Sequence, residues 1–221
     1  MPRPPLPPAA ALLADRQVRP LSFRLLAIGD RRQATPAAVA ALVGIGGADI
    51  ALLLRESGIA AADLLRWADS LLPVCRSAGA LLLVHGSTEA ALRTGADGVH
   101  LPEGGSIEGA RSLLGAGAWV GASRHDEAGV RAGAAAGADY LTLSPVFASP
   151  LKGEPLGLTR FSEIARASDT PVVALGGVTA SNAAACRIAG AAAVAAIRAV
   201  WAGWRGGAGG LDSGAYGEGG R

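Results

Sequence analysis

Eight short apolar segments, each bounded by turn residues, constrain the fold of this 221-residue chain more than any other feature. A helical pattern follows each segment, and the last helix leads into the C-terminal tail. Eight alternating β and α units is the number that closes a barrel. The sequence therefore predicts an α/β protein with a single (β/α)8 TIM barrel. The predicted strands cover residues 23–28, 50–54, 81–84, 98–101, 118–122, 140–143, 171–175 and 192–197.

A weak internal repeat supports this count. Gly-Ala-Asp precedes three of the segments, at 47–49, 95–97 and 137–139, and 190–192 takes the same place before the last. Each glycine is expected to cap the preceding helix in the left-handed conformation. The main alternative, a doubly wound open sheet, predicts a glycine-rich fingerprint after the first strand. That strand instead ends in Gly29-Asp30-Arg31-Arg32, which favours the barrel.

The barrel domain is predicted over 21–203, between a Pro-rich arm at 1–20 and a flexible Gly-rich tail at 204–221. The 20 basic and 18 acidic residues are spread along the chain, which argues against a nucleic-acid partner. No apolar run reaches the roughly 18 residues that span a bilayer. Cys75 and Cys186 have neither redox nor metal-ligand spacing, and they indicate reduced thiols in a cytoplasmic protein.

Polar residues gather just after the predicted strands, at the carboxyl face where barrel enzymes hold their active sites. We interpret His100 as a hydrogen-bonded structural residue that points into the barrel. His125 is the candidate acid/base, although Ser123 or Asp126 of its turn could simply cap the next helix. No metal site is predicted, because no nearby carboxylate motif or HxH pair accompanies the three histidines. The polar set is Asp30, Arg55, Glu56, His85, His100, Glu103, Ser123, His125, Ser144, Ser149 and Lys152.

The last two strands indicate a phosphate site. Gly176 and Gly177 leave backbone N–H groups unobstructed, and Ala195 and Ala196 leave room beside them near a helix N-terminus. A tight strand-to-helix turn is the structural alternative. Arg55 and Lys152 add positive charge to the same face, and Lys152 lies in a long Pro/Gly loop, 144–157, that could fold over a ligand.

At these residues the chain resembles the thiamine phosphate synthase/TenI family, from about residue 23 to 201. The order and spacing of its motifs carry the resemblance: Gly-Ala-Asp-Gly-Val-His-Leu at 95–101, Gly-Ala-Ser-Arg-His at 121–125, Gly-Ala-Asp-Tyr at 137–140 leading into Ser-Pro-Val-Phe at 144–147, and Ala-Leu-Gly-Gly-Val at 174–178 followed by Asn182. The resemblance implies a TIM barrel that holds a thiazole phosphate on the amides after strands seven and eight. In the synthase branch, the thiazole phosphate is joined to hydroxymethylpyrimidine diphosphate with the help of Mg²⁺. In the TenI branch, a proton is moved to aromatise the thiazole, and a histidine at the place of His125 is the implied acid/base.

The departures from the synthase pattern favour the TenI branch. After strand two the chain keeps Arg55 but has Ser57 where synthases carry lysine, and after strand three it has His85-Gly86 where they carry Asn-Asp. After strand four it has Pro-Glu-Gly-Gly at 102–105 where they carry Gly-Gln-Glu-Asp, and in the strand-six loop Ser149 and Leu151 replace two threonines. Mg²⁺ needs hard oxygen ligands, and both expected aspartates are missing. Glu103 could replace one of them.

The leading hypothesis is therefore a TenI-type thiazole tautomerase without a cofactor, in which His125 and Lys152 are catalytic. Arg55, His85, Ser123 and Ser149 are its predicted substrate-binding residues. The expected partner is a small phosphorylated thiazole, and a homo-oligomer is possible. One alternative is a thiamine phosphate synthase that uses Mg²⁺. Another is a non-catalytic binder or regulator of phosphorylated ligands.

Overall fold

The computed structural model describes residues 19–149 and 153–204. Eight parallel strands form a closed barrel in sequence order, and β1 completes it by pairing with both β2 and β8. The predicted (β/α)8 fold is confirmed, and the open-sheet alternative is excluded. The strands are β1 Leu25–Gly29, β2 Ile50–Leu54, β3 Leu81–His85, β4 Gly98–Leu101, β5 Trp119–Arg124, β6 Tyr140–Leu143, β7 Val172–Ala174 and β8 Ala193–Ala196.

A helix follows each strand, as a right-handed crossover between parallel neighbours requires. A short 3-10 turn, Gly47–Asp49, comes directly before β2. The side chains of Thr35, Ser87, Ser106 and Asp126 cap four of these helices at their N-termini. The helices are α1 Pro36–Gly46, α2 Ala61–Ser77, α3 Thr88–Thr94, α4 Ile107–Leu114, α5 Glu127–Ala135, α6 Gly157–Arg166, α7 Ala180–Ile188 and α8 Arg198–Trp204.

The strands are buried on both faces, so the core has two layers. The outer layer packs the strands against the helices. The inner layer fills the barrel with alternate strand residues, among them Leu53, Trp119 and Tyr140, and with Phe23 from just before β1. This alternation fixes which residues near the carboxyl ends of the strands face the barrel axis.

The Gly-Ala-Asp repeat locks the opposite, amino-terminal face. Its glycines have positive φ, and so does Gly190; Gly95 adopts the expected left-handed cap, whereas Gly47 combines φ 51° with ψ −129° and does not. The Asp97 carboxylate accepts a hydrogen bond from the Leu82 N–H at 2.8 Å, and the Asp139 carboxylate accepts one from the Val120 N–H at 2.7 Å. Each aspartate thus fastens its own strand to the preceding one.

Several predictions fall partly outside the described residues. The predicted arm and tail are described only at their inner ends, and Lys152 is not described, so the boundaries 21–203 stay a prediction. Cys75 and Cys186 are free and buried. Within 19–149 and 153–204, no helix is both long enough and apolar enough to cross a membrane.

Candidate active site

His125 follows β5 at the carboxyl rim of the barrel and is held in a fixed orientation. Its Nδ1 lies 2.6 Å from the Ser144 carbonyl oxygen, which can only accept, so Nδ1 carries the hydrogen and donates it. The neutral ring therefore has its lone pair on Nε2. The side chain is 39% exposed. This geometry presents a base to the rim, whereas the alternative role of the turn, capping α5, belongs to Asp126.

Glu103, in the loop after β4, is the group that Nε2 of His125 faces. Its Oε2 lies 3.6 Å from Nε2, close enough for an ion pair once the imidazole takes up a proton. Sequence reasoning considered Glu103 only as a metal ligand and missed this pairing. The usable signal was that β4 and β5 are neighbours in a barrel, so residues just after them meet.

The Gly176-Gly177 turn follows β7 on the same rim. The two glycines have φ values of 95° and 64°, and their N–H groups donate no hydrogen bond to any other described residue. Asn182 fixes the turn: its side-chain NH₂ donates to the Gly177 carbonyl at 3.0 Å, and its Oδ1 accepts from the Thr179 N–H at 2.8 Å. Two free amides beside a helix N-terminus form a suitable anion site.

The segment 144–148 after β6 joins the glycine turn to His125. The N–H of Val146 donates to the Leu175 carbonyl at 2.9 Å, and that of Phe147 donates to the Gly176 carbonyl at 3.0 Å. The same segment supplies the Ser144 carbonyl that holds His125. The candidate base and the candidate anion site are therefore on one rim of a closed barrel.

Ala195 and Ala196 lie within β8, paired with Leu26 and Ala27 of β1. Both are buried, Ala195 in the inner core and Ala196 in the outer one. Among the described residues, no hydrogen bond uses the N–H of Ile197, which follows them directly before α8. The phosphate-binding role of Ala195 and Ala196 stays a prediction, and Ile197 adds this N–H directly after them.

Three of the predicted substrate-binding residues lie near the carboxyl rim: Arg55 directly after β2, His85 at the end of β3 and Ser123 within β5. Arg55 is exposed, and no ion pair links it to another residue of the described chain. Burial lowers the pKa of His85, and the positive charge of Arg55 lowers it further. Ser123 is half-buried, with its hydroxyl 3.0 Å from Nε2 of His100. Ser149 is also half-buried on the β6 loop. Lys152 lies outside the described residues.

His100 is a structural residue, as the sequence predicted. It is 2% exposed, and its ring nitrogens contact the Tyr140 hydroxyl and the Ser123 hydroxyl, each at 3.0 Å. Burial lowers its pKa to about 3, so the ring is neutral. With both nitrogens occupied by hydroxyl groups, His100 is not available as a metal ligand.

The donor set of the rim does not fit a Mg²⁺ site. Glu103 faces His125, and Glu56 makes a bidentate ion pair with Arg31. The Asp30 carboxylate accepts hydrogen bonds from backbone N–H groups of its own turn. The described residues contain no group of three or more His, Cys, Asp or Glu side chains that could hold a metal. Mg²⁺ prefers an octahedral set of oxygens, and the carboxylates of Glu103, Glu56 and Asp30 each already have a partner.

Known proteins resemble this chain over the whole barrel. Residues 25–200 match the family model described as thiamine monophosphate synthase. A thiamine-phosphate synthase of Methanoculleus marisnigri is 40% identical over 157 residues, 69% of this chain and 74% of the relative. One of Chromobacterium violaceum is 43% identical over 160 residues, covering 70% and 75% of the two chains. The solved structure of thiamine phosphate pyrophosphorylase from Pyrococcus furiosus superposes with a TM-score of 0.72 at 28% identity, covering 80% of this chain and 87% of that one.

The two sequence relatives are named thiamine-phosphate synthase, which is the alternative to the leading tautomerase hypothesis and not that hypothesis itself. The family itself, named from the motifs at 95–101, 121–125 and 174–178, is confirmed by the match. The chain therefore belongs to the thiamine monophosphate synthase family of (β/α)8-barrel enzymes.

Proposed function

We propose that this enzyme binds a thiazole phosphate with the phosphate on the 176–177 turn, and that His125 moves a proton on the bound ring. The observation that carries the proposal is the Nδ1–H bond from His125 to the Ser144 carbonyl. It orients Nε2 toward the rim as the basic nitrogen. The anion-binding turn rests on the same segment, 144–148.

The proposed reaction is an isomerisation and needs no net proton. Nε2 of His125 takes a proton from one carbon of the non-aromatic ring, and the same nitrogen returns it to another carbon as the ring becomes aromatic. Between these two steps the imidazole is a cation whose Nε2–H faces the Glu103 carboxylate, 3.6 Å away. Glu103 is thus proposed as a positioning residue that faces Nε2 of His125.

Replacing His125 tests this proposal. We expect His125→Ala to lower the kcat of thiazole phosphate aromatisation by about 10²- to 10⁴-fold, since general acid/base catalysis contributes that much. The Kd of the aromatic thiazole phosphate should stay within about twofold of wild type, because the phosphate amides are untouched. Arg131→Ala is the control, because it removes an exposed side chain of the helix after His125 that pairs with Glu127 and has no role in the proposal. Full turnover by His125→Ala would refute the role.

Thiamine phosphate synthesis is the second candidate, and the names of the relatives favour it. It requires the rim to bind hydroxymethylpyrimidine diphosphate beside the thiazole phosphate. Arg55 and Lys152 are the proposed cationic contacts for that diphosphate. Coupling of the two halves should be assayed with and without Mg²⁺, next to the aromatisation assay. Product from coupling alone would replace the isomerase proposal, and binding without turnover in either assay would indicate a non-catalytic binder.

A further inference from the structure

A chain of three polar side chains, two of them buried and one half-buried, runs under the proposed site. Tyr140 and His100 lie inside the barrel with 0% and 2% exposure, and Ser123 ends the chain just below the rim. The Tyr140 hydroxyl is 3.0 Å from Nδ1 of His100, and the Ser123 hydroxyl is 3.0 Å from Nε2. Each of these contacts has one donor and one acceptor, so their directions are coupled.

Tyr140 sets which group donates and which accepts in these hydrogen bonds. Nδ1 of His100 is the only hydrogen-bond partner of the Tyr140 hydroxyl within the described residues. A buried hydroxyl without an acceptor for its hydrogen suffers the full desolvation penalty of that group. Burial also raises the pKa of the phenol, which keeps its proton. Tyr140 therefore donates, and Nδ1 of His100 accepts and carries no hydrogen.

The hydrogen of His100 must then be on Nε2. The ring is neutral, because burial holds its pKa down, and the charges of His85, Arg124 and Arg55 act in the same direction. A neutral imidazole has one N–H group. That group donates to the Ser123 hydroxyl at 3.0 Å, with the Thr142 hydroxyl farther away at 3.5 Å.

Ser123 thus accepts from below and has its own hydrogen left to give. No other hydrogen bond of its side chain involves a described residue. It stands two residues before His125 on β5, at an inward-facing position of the same alternation as Trp119. The Ser123 hydroxyl can therefore donate its hydrogen to a ligand bound at the rim.

We propose that Tyr140 and His100 fix the Ser123 hydroxyl as a hydrogen-bond donor to the ligand. The site then selects a ligand with an acceptor atom, such as a ring nitrogen or a carboxylate oxygen, at this point. A ligand that presents an N–H or O–H there leaves two donors facing each other. This inference rests on the proposed function for the location of the site, and it adds Tyr140 and His100 as positioning residues.

Nitrogen NMR of the ligand-free protein tests the direction of the chain. In a long-range ¹⁵N–¹H spectrum of ¹⁵N-histidine-labelled protein, His100 should show an unprotonated Nδ1 and a protonated Nε2. Tyr140→Phe removes the hydroxyl that imposes this tautomer, so the two His100 nitrogens should shift toward each other. A protonated Nδ1 in wild type would overturn the proposal, and so would an unchanged tautomer signal in Tyr140→Phe.

The affinity for thiazole phosphate tests the consequence for the ligand. Ser123→Ala should raise its Kd about five- to tenfold, the loss of one neutral hydrogen bond, and leave the Kd of inorganic phosphate unchanged. Tyr140→Phe should raise the Kd about twofold if half the molecules keep the competent tautomer. It should have no further effect in the Ser123→Ala background. An equal effect in both backgrounds would show that Tyr140 acts by packing alone and would overturn its positioning role.

The two experiments separate this inference from the proposed function. If wild type fails to bind thiazole phosphate, the proposed function is wrong, while the tautomer measured without ligand still decides whether Ser123 is a fixed donor. If wild type binds and the tautomer is the opposite one, the proposed function stands and the inference is wrong.

Discussion

Gly177→Ala is expected to weaken both the fold and the proposed phosphate site. With φ at 64°, alanine here takes a left-handed conformation that costs about 1–2 kcal/mol. Its Cβ would also lie 2.7 Å from the Ala148 carbonyl oxygen and 2.7 Å from Cβ of Phe147. Crowding of packed atoms typically costs about 1–3 kcal/mol more. We therefore expect the free energy of unfolding to fall by about 3 kcal/mol, measured by urea denaturation.

Gly95→Ala is the matched control. Gly95 has nearly the same φ, 65°, but the nearest atom to an added Cβ is a flexible guanidinium nitrogen of Arg76 at 3.8 Å. It caps α3 on the amino-terminal side of the barrel, away from the rim. Only the conformational cost applies, so Gly95→Ala should lose about 1–2 kcal/mol of stability.

Ligand affinity separates the two variants further. The crowded Cβ must displace the turn from the 144–148 segment, which misaligns the amides of Gly176 and Gly177. We expect Gly177→Ala to raise the Kd of thiazole phosphate about 10- to 100-fold, the loss of one charge-assisted hydrogen bond. Gly95→Ala should bind as wild type in the same isothermal titration. Equal affinities for both variants would refute the assignment of the phosphate to this turn.

Three further predictions concern buried groups. Asp139→Ala should lose about 1–3 kcal/mol in urea denaturation, because the Val120 N–H and the partly exposed Arg111 guanidinium lose their carboxylate partner, and Asp139→Asn should lose less because it still accepts the Val120 N–H. His100 has its pKa lowered to about 3 by burial, while an unfolded histidine titrates near 6.5. The unfolded state thus binds more protons below pH 6.5, and stability should fall by about 2 kcal/mol between pH 7 and pH 5; equal urea midpoints at the two pH values would contradict this. Burial raises the pKa of Cys75 to about 12, so a thiol reagent at pH 8 should label it only as fast as the protein opens, and immediate labelling of the native protein would oppose this.

The strands were predictable because burial on both faces leaves a clear record in the sequence. β2, β4 and β6 begin and end at the residues that their apolar runs indicate. β5 is the informative exception: its run suggested an end at Ala122, whereas the strand continues through Ser123 to Arg124. Polar residues extend this strand because the Ser123 hydroxyl bonds His100 and the Arg124 guanidinium bonds the Ser123 and Gly129 carbonyls. A hydrophobic pattern in the sequence does not indicate which hydrogen-bond partners a polar residue will find.

The contents of the candidate site were predictable, but the contacts within it were not. The position of His125 after β5 follows from counting strands, since all carboxyl ends of a parallel barrel share one rim. Its bond to the Ser144 carbonyl depends on the path of the loop after β6, and backbone carbonyls carry no sequence signal. The pairing of His125 with Glu103 likewise needs the distance between two loops, which only coordinates supply.

The choice between the two candidate reactions depends on the ends of β3 and β4. The 144–148 segment positions the glycine turn and His125 together, so a thiazole phosphate bound at the turn would meet the same imidazole in either reaction. What coupling additionally requires is neutralisation of a diphosphate by cations. Arg55 and Lys152 are the proposed cations for that task, whereas the ends of β3 and β4 offer His85, whose burial and neighbouring Arg55 favour its neutral form, and Glu103, which faces His125. The Glu103 carboxylate opposite the imidazole is the contact that the proposed proton transfer would use, whereas the names of the relatives favour coupling, so the paired aromatisation and coupling assays decide between the two reactions.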